Sequence, residues 1–226
     1  MKSILLHFVM AMVIISCKQA DKKKQIDYSG FTDREISLAG YDERPEWNDS
    51  LAYVSLKIPV RLDTFYKWQH YSCNTSSGWM KYRFADKCYP QFAESGWYWT
   101  VVPDSVYQIN IWHKPIKIAP DSITLRPLSE KDTVGCFYHP HIVSSPKSVN
   151  FLLKEFKLIN ERPFIISAFV NPYGYLTHSQ TLFVVAETNL KSRELYFIGE
   201  CGTKDTTGFI DNMYKSFLSI RIKENP

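Results

Sequence analysis

The 226-residue chain has no apolar run long enough for a bilayer-spanning helix. Its greasiest stretch, Ile4 to Ile15, is about a dozen residues, where a span needs about 20. It has no G-x-S-x-G, no H-E-x-x-H, no Walker loop and no dinucleotide fingerprint, so the common hydrolase, metalloprotease and nucleotide-binding chemistries lose their usual markers. Two carboxylates can be chosen anywhere in a chain of this size, so paired-carboxylate glycosidase chemistry has no specific support. Internal repeats and a Gly/Ser-rich interdomain linker are also missing, which favours one domain over two. Nor is there a basic domain. The formal net charge is +4, but much of the excess sits on Lys2, Lys18, Lys22, Lys23 and Lys24. Only Asp21 and Asp27 oppose these, and the body from Tyr28 onward is close to neutral. A nucleic-acid partner would need a basic face on the folded domain, so none is expected.

What is present begins at the N-terminus. Lys2 is followed by the apolar run and then by Ile14-Ile15-Ser16-Cys17. This order of positive start, short apolar core, small residue and cysteine resembles the lipobox of a bacterial lipoprotein signal peptide. A plain cleaved secretory signal is the alternative. The resemblance implies cleavage before Cys17 and acylation of its thiol and new amine. More than one acyl chain gives stable anchoring, where a single chain holds only marginally. The expected organisation is a signal peptide at 1–16, a lipidated tether at 17–30 and a single globular domain at 31–226. Lys18 to Gln25 is polar and aperiodic, as a disordered tether would be. Its lysines could lie against anionic headgroups or simply be solvated. Lys18 after the cysteine resembles outer-membrane sorting signals. The implied location is the bacterial cell envelope, held by lipid at the outer membrane, on its periplasmic face or at the cell surface.

Four cysteines remain after Cys17: Cys73, Cys88, Cys136 and Cys201. An even number in an exported chain suggests disulfides, with three connectivities open. Cys73–Cys88 is favoured because the two bracket a strand-like run, and a loop of that size would contribute about 3 kcal/mol through unfolded-state entropy. Cys136 and Cys201 then pair or remain buried thiols.

The body alternates between two periods. Ala52–Ile58 places Val54, Leu56 and Ile58 on one face, with Pro59 ending the strand. Trp79–Phe84 sets Met80, Tyr82 and Phe84 against Lys81 and Arg83. Tyr107–Trp112 puts Tyr107, Ile109 and Ile111 inward and Gln108 and Asn110 outward. Thr133–Tyr138 is a shorter strand candidate. Ser145-Pro146 is a helix-start pair, and Val149, Leu152, Leu153, Phe156 and Ile159 recur at helical spacing before Pro163. The spacing predicts a helix over Lys147–Asn160. Strands are expected at Phe164–Val170, Thr181–Glu187 and Glu194–Gly199, the last two joined by Asn189-Leu190-Lys191-Ser192. Phe209, Met213 and Phe217, with Ile210 and Ile220, predict a helix from Gly208 to about Ser219. Consecutive strands on short loops pair antiparallel. The expected fold class is α+β, a mainly antiparallel sheet with two principal helices packed on it.

The pattern Glu194-Leu-Tyr-Phe-Ile-Gly-Glu200, then Phe209, Met213, Ser216-Phe217 and Ser219-Ile220, resembles the C-terminal part of PsbP-like domains. The likeness spans about the last 65 residues as a pattern of residue types. It implies α/β/α layers and a non-catalytic accessory or assembly role.

Three constellations could carry chemistry. Cys136-Phe-Tyr-His139-Pro-His141 places two imidazoles two residues apart, on one side of an extended segment, as a zinc site would require. Pro140 interrupts that segment, and a pair of loop histidines is the plainer reading, so no metal or other cofactor is assigned. His70-Tyr71-Ser72-Cys73 sets a thiol beside a base, without the orienting third group that nucleophilic catalysis needs. Gly96-Trp97-Tyr98-Trp99 puts Trp97 and Trp99 on one strand face, with Trp79 or Trp112 able to join them. Exposed, these are platforms for a sugar ring or a protein partner; buried, they are core. A further pattern, Asp followed by Ser or Thr at Asp49-Ser50, Asp63-Thr64, Asp104-Ser105, Asp121-Ser122, Asp132-Thr133 and Asp205-Thr206, resembles O-glycosylation sites in exported proteins of Bacteroidota. Turn and cap chemistry explains such pairs equally well.

The expected function is that of a lipid-anchored, non-enzymatic envelope protein that binds another envelope protein. Binding of a carbohydrate or small ligand through the tryptophans comes second. A metal-dependent enzyme centred on His139 and His141 comes last.

Overall fold

Alternating side chains build most of the described chain. The computed structural model describes residues 25–39, 50–72, 75–86, 106–113, 150–171, 181–190, 193–202 and 206–225. In chain order the elements are β1 (Phe31–Ala39), β2 (Ser50–Pro59), β3 (Thr64–Ser72), β4 (Thr75–Ala85), β5 (Tyr107–His113), β6 (Phe151–Ile159), β7 (Arg162–Asn171), β8 (Thr181–Leu190), β9 (Arg193–Gly202), α1 (Phe209–Leu218) and β10 (Arg221–Glu224). The class is broadly α+β and mostly antiparallel sheet.

Two sheets form. The smaller has the order β1-β2-β10, and the larger β3-β4-β5-β9-β8-β7-β6. All the pairings are antiparallel. One face of the large sheet, the small sheet and α1 share a single apolar core. It takes Ile36 and Leu38 from β1, Val54, Leu56 and Ile58 from β2, Tyr82 and Phe84 from β4, and Ile109 and Ile111 from β5. Phe164 and Ile166 come from β7, Val184 and Ala186 from β8, and Leu195 and Phe197 from β9. Helix α1 contributes Phe209, Met213 and Phe217 from one side of its 3.6-residue repeat.

The helix comes close to β9 because Gly199 lets it. A Cβ there would stand 2.7 Å from Met213 Cγ and 2.8 Å from its Sδ. Gly208 opens the helix at φ 69, a left-handed conformation that costs glycine little. Asp211 and Lys215 pair one turn apart at 2.9 Å, with the acid toward the N-terminus as the helix dipole favours. The chain turns at Ser219, and β10 returns to pair with β2.

Most of the expected strands lie where the alternation placed them. Residues 52–58 fall within β2, 79–84 within β4, 107–112 within β5, 164–170 within β7, 181–187 within β8 and 194–199 within β9. Leu190 and Arg193 close the β8–β9 hairpin. The C-terminal helix is α1. Thr133–Tyr138 and residues 1–24, which include Cys17, lie outside the described residues.

The helix predicted over Lys147–Asn160 is a correction. Phe151–Ile159 is strand β6, at the edge of the large sheet, so the described residues carry one helix and not two. The cause is the hairpin that follows. Asn160 and Glu161 take φ 49 and 67, and Ile159 pairs directly with Arg162. Positive φ at both central residues is the turn whose twist matches two antiparallel strands. The helical spacing of Leu152, Leu153, Phe156 and Ile159 is then read at period two, with Leu152 and Leu158 left on the surface. Asn160 Nδ2 also donates to the carbonyl of Ile220 at 2.7 Å, tying this turn to the end of α1. Arg162 bonds the Asn189 carbonyl and pairs with Glu224, joining β8 to β10.

Candidate functional site

The second face of the large sheet, turned away from α1, carries the most distinctive side-chain chemistry among the described residues. Register sets its rows. Lys81, Trp112 and Tyr196 lie abreast on β4, β5 and β9; Arg83, Asn110 and Ile198 form the next row. Ala85, Gln108 and Glu200 form the third. Continuing onto β8 and β7, Ile198 meets Val185, and Glu200 meets Phe183 and then Phe169. The face therefore grades from polar at β4–β5 to aromatic and aliphatic at β7.

The polar part is a connected array. Arg83 Nε donates to Asn110 Oδ1 at 2.7 Å, and Asn110 Nδ2 donates to Glu200 Oε1 at 2.9 Å. Gln108 Nε2 reaches the other carboxylate oxygen, Oε2, at 2.7 Å. Arg83, Gln108 and Asn110 are all buried. Burying an amide or a guanidinium without partners is costly, and these bonds offset that cost. Beside the array, Trp112 lies over Tyr196 with ring centroids 4.7 Å apart and planes 31° off parallel. Tyr196 Oη donates to Glu194, two residues back on the same strand. Trp112 is half-buried, and Phe151, Phe169, Phe183, Val185 and Ile198 complete an apolar cluster with Tyr196.

The array fixes hydrogen-bonding groups next to an aromatic pair; Arg83, Gln108, Asn110 and Tyr196 are buried, and Trp112 and Glu200 are the half-buried members of the set. It does not set a nucleophile beside a base. Nothing among the described residues indicates an enzymatic activity, and no group of three or more His, Cys, Asp or Glu side chains there could hold a metal ion. No described helix is long and apolar enough to cross a membrane.

Of the residues singled out from sequence, Trp112 is on this face. Trp97, Trp99, Cys73, Cys88, Cys136, His139 and His141 lie outside the described residues. Cys201 is a buried thiol on the core side of β9, where Sγ donates to the Gly202 carbonyl at 3.2 Å. Gln108 and Asn110, expected to point to water, are buried on the second face. The expectation took one face of β5 as solvated, whereas β5 is flanked by strands on both sides and its second face is covered too. Arg83 and Glu200 were not singled out from sequence. Their one signal was a polar residue at matching places in three strands, and only the register reveals the match. Of the Asp-Ser/Thr pairs, Thr206 and Thr207 are exposed just ahead of α1. Thr64 instead donates to the Asp63 carboxylate at 3.0 Å, local turn chemistry.

The other clusters are structural in character. His113 Nε2 lies 3.1 Å from the Ala39 carbonyl, and the Ala39 amide donates to Tyr82 Oη at 2.7 Å. Together they fasten the end of β1 to the large sheet. Tyr214 Oη donates to Glu155 at 2.7 Å, and Lys157 pairs with the same carboxylate at 3.1 Å. These contacts, Tyr214 first, hold the Glu155 carboxyl below the usual range, while burial followed by Glu155 raises the Tyr214 phenol.

No protein-family model matches the chain, and no curated protein matches it significantly.

Proposed function

We propose that this chain is a lipid-anchored protein of the bacterial cell envelope, tethered through Cys17, whose work is to bind another envelope protein in an accessory or assembly role. The observation that carries the binding role is the second face of the large sheet. It sets a hydrogen-bonded polar array of Arg83, Gln108, Asn110 and Glu200 beside the Trp112–Tyr196 pair. A partner would meet the half-buried Trp112 and Glu200, which stacking on Tyr196 and the buried amides of Gln108 and Asn110 hold in place. The lipobox-like leader supports the location, and the PsbP-like pattern over Glu194–Ile220 supports an accessory role.

Cross-linking in native membranes followed by affinity capture tests the binding role. One envelope protein recovered repeatedly, and lost with Trp112→Ala, is the expected result. Recovery of the bait alone in repeated trials would overturn it. Intact-mass measurement of the native protein tests the anchor, which requires a chain beginning at Cys17 and carrying acyl groups. Mass beyond that, mapping to Thr206 or Thr207, would mark O-glycosylation.

The same face favours one second reading, a carbohydrate or small polar ligand stacked on Trp112. It predicts a change in tryptophan fluorescence with some member of a glycan panel. A flat response across the panel discards it.

A further inference from the structure

The geometry points to a symmetric dimer of this chain, formed by antiparallel pairing of β6 with β6 of a second copy, centred on Phe156. The inference is independent of the proposed function and does not require the lipid anchor.

Strand β6 ends the large sheet, and no described strand pairs with its outer side. The hairpin fixes which backbone groups face outward. Ile159 pairs with Arg162 across a two-residue turn, and that closing pair exchanges its amide bonds within the hairpin. By alternation Lys157, Glu155 and Leu153 also direct their backbone groups to β7, while Leu158, Phe156 and Lys154 direct theirs to the open edge. Such a row of donors and acceptors, unpaired among the described residues, is a template for another strand. Apolar side chains crowd it, with Leu158 69% and Leu152 57% exposed.

Charge selects both the occupant and the register. In a two-fold pairing centred on Glu155, that carboxylate meets its own copy. Centres on Lys154 or Lys157 oppose two ammonium groups. A centre on Leu158 runs Phe156 against Asn160 in the other copy's turn and shortens the ladder. Centred on Phe156, the strand is self-complementary. Phe156 faces Phe156, Glu155, whose Oε2 already holds its own Lys157 and Tyr214, faces the second copy's Lys157 twice over, and Leu158 packs on the aliphatic stem of the second copy's Lys154. The outward amides of Lys154, Phe156 and Leu158 all find carbonyls in that register. An unrelated extended peptide would gain the backbone bonds without the matched charges.

A strand pair of this length is small beside the roughly 1,200 Å² of a stable interface, so association is weak in dilute solution. The test uses the full chain purified in detergent. Sedimentation equilibrium up to about 1 mM should show a reversible monomer–dimer equilibrium. Leu158→Lys, at an exposed position, opposes two ammonium groups and should weaken it about tenfold or more with an unchanged circular dichroism spectrum. Cysteine trapping reads the register. Directly opposed residues have Cα atoms about 5.5 Å apart, within disulfide range. Phe156→Cys should therefore form a disulfide-linked dimer under mild oxidation. Leu158→Cys, which has the same native cysteines, should not, because its own copy lies about 13 Å along the strand. Mixed Lys154→Cys and Leu158→Cys proteins should cross-link with each other. A monomer at every concentration, equal trapping of Phe156→Cys and Leu158→Cys, or a dimer indifferent to Leu158→Lys would each overturn the inference.

Discussion

Replacing Gly199 with alanine tests how the helix is seated on the sheet. The backbone at Gly199 is not in the left-handed region, so alanine meets no conformational penalty there. The obstacle is space. The new methyl would lie 2.7 Å from Met213 Cγ, 2.8 Å from Met213 Sδ and 3.2 Å from Phe209 Cζ. All three atoms belong to residues with no solvent exposure. Met213 is flexible but fully buried, and overpacking of this kind costs about 1–3 kcal/mol. Against that, alanine restricts the unfolded chain, a gain of about 0.4–1 kcal/mol. Taking the middle of each range, the balance is a loss of about 1.3 kcal/mol, or a fall in Tm of about 3–5 °C for a domain of this size. Thermal and urea unfolding of the wild type, Gly199→Ala, Met213→Ala and the double variant form the assay. Met213→Ala alone should cost about 2–5 kcal/mol by leaving a cavity. The alanine methyl at 199 then fills part of that cavity, so the double variant should be more stable than the sum of the singles predicts by about 1 kcal/mol or more. Additive effects, or a neutral Gly199→Ala, would refute the close approach of α1 to β9.

Four further outcomes follow from named residues. Glu161→Gly relieves a left-handed non-glycine residue and should raise the urea midpoint by a net gain of about 0.5 kcal/mol, whereas Asn160→Ala, which also removes the bond to the Ile220 carbonyl, should lower stability by about 1–2 kcal/mol. Because the folded-state pKa of Glu155 is depressed, chiefly by Tyr214, its stabilisation is present above the ordinary glutamate pKa and is lost as pH falls through the folded value; Tyr214→Phe should flatten this acid limb in urea titrations run at stepped pH, and an unchanged limb would count against the contact. Arg83→Leu takes a donor from buried Asn110 and should cost about 1–3 kcal/mol in denaturant unfolding, and a neutral substitution would count against the bond.

Local pattern by itself determined much of the scaffold. The alternation of Val54, Leu56 and Ile58, of Tyr82 and Phe84, and of Tyr107, Ile109 and Ile111 is a property of neighbouring residues, and it specified strands and their core-facing sides. The spacing of Phe209, Met213 and Phe217 specified α1 in the same way. Tertiary structure alone decided the rest. Phe151–Ile159 carries apolar residues at helical spacing, yet pairing with β7 and the Asn160–Glu161 turn make it a strand, because bonds to a neighbouring strand outweigh a weak local preference. The Arg83–Asn110–Glu200–Gln108 array joins residues up to 117 positions apart in the chain. No window of sequence contains them together, and only the register of three strands sets donor against acceptor.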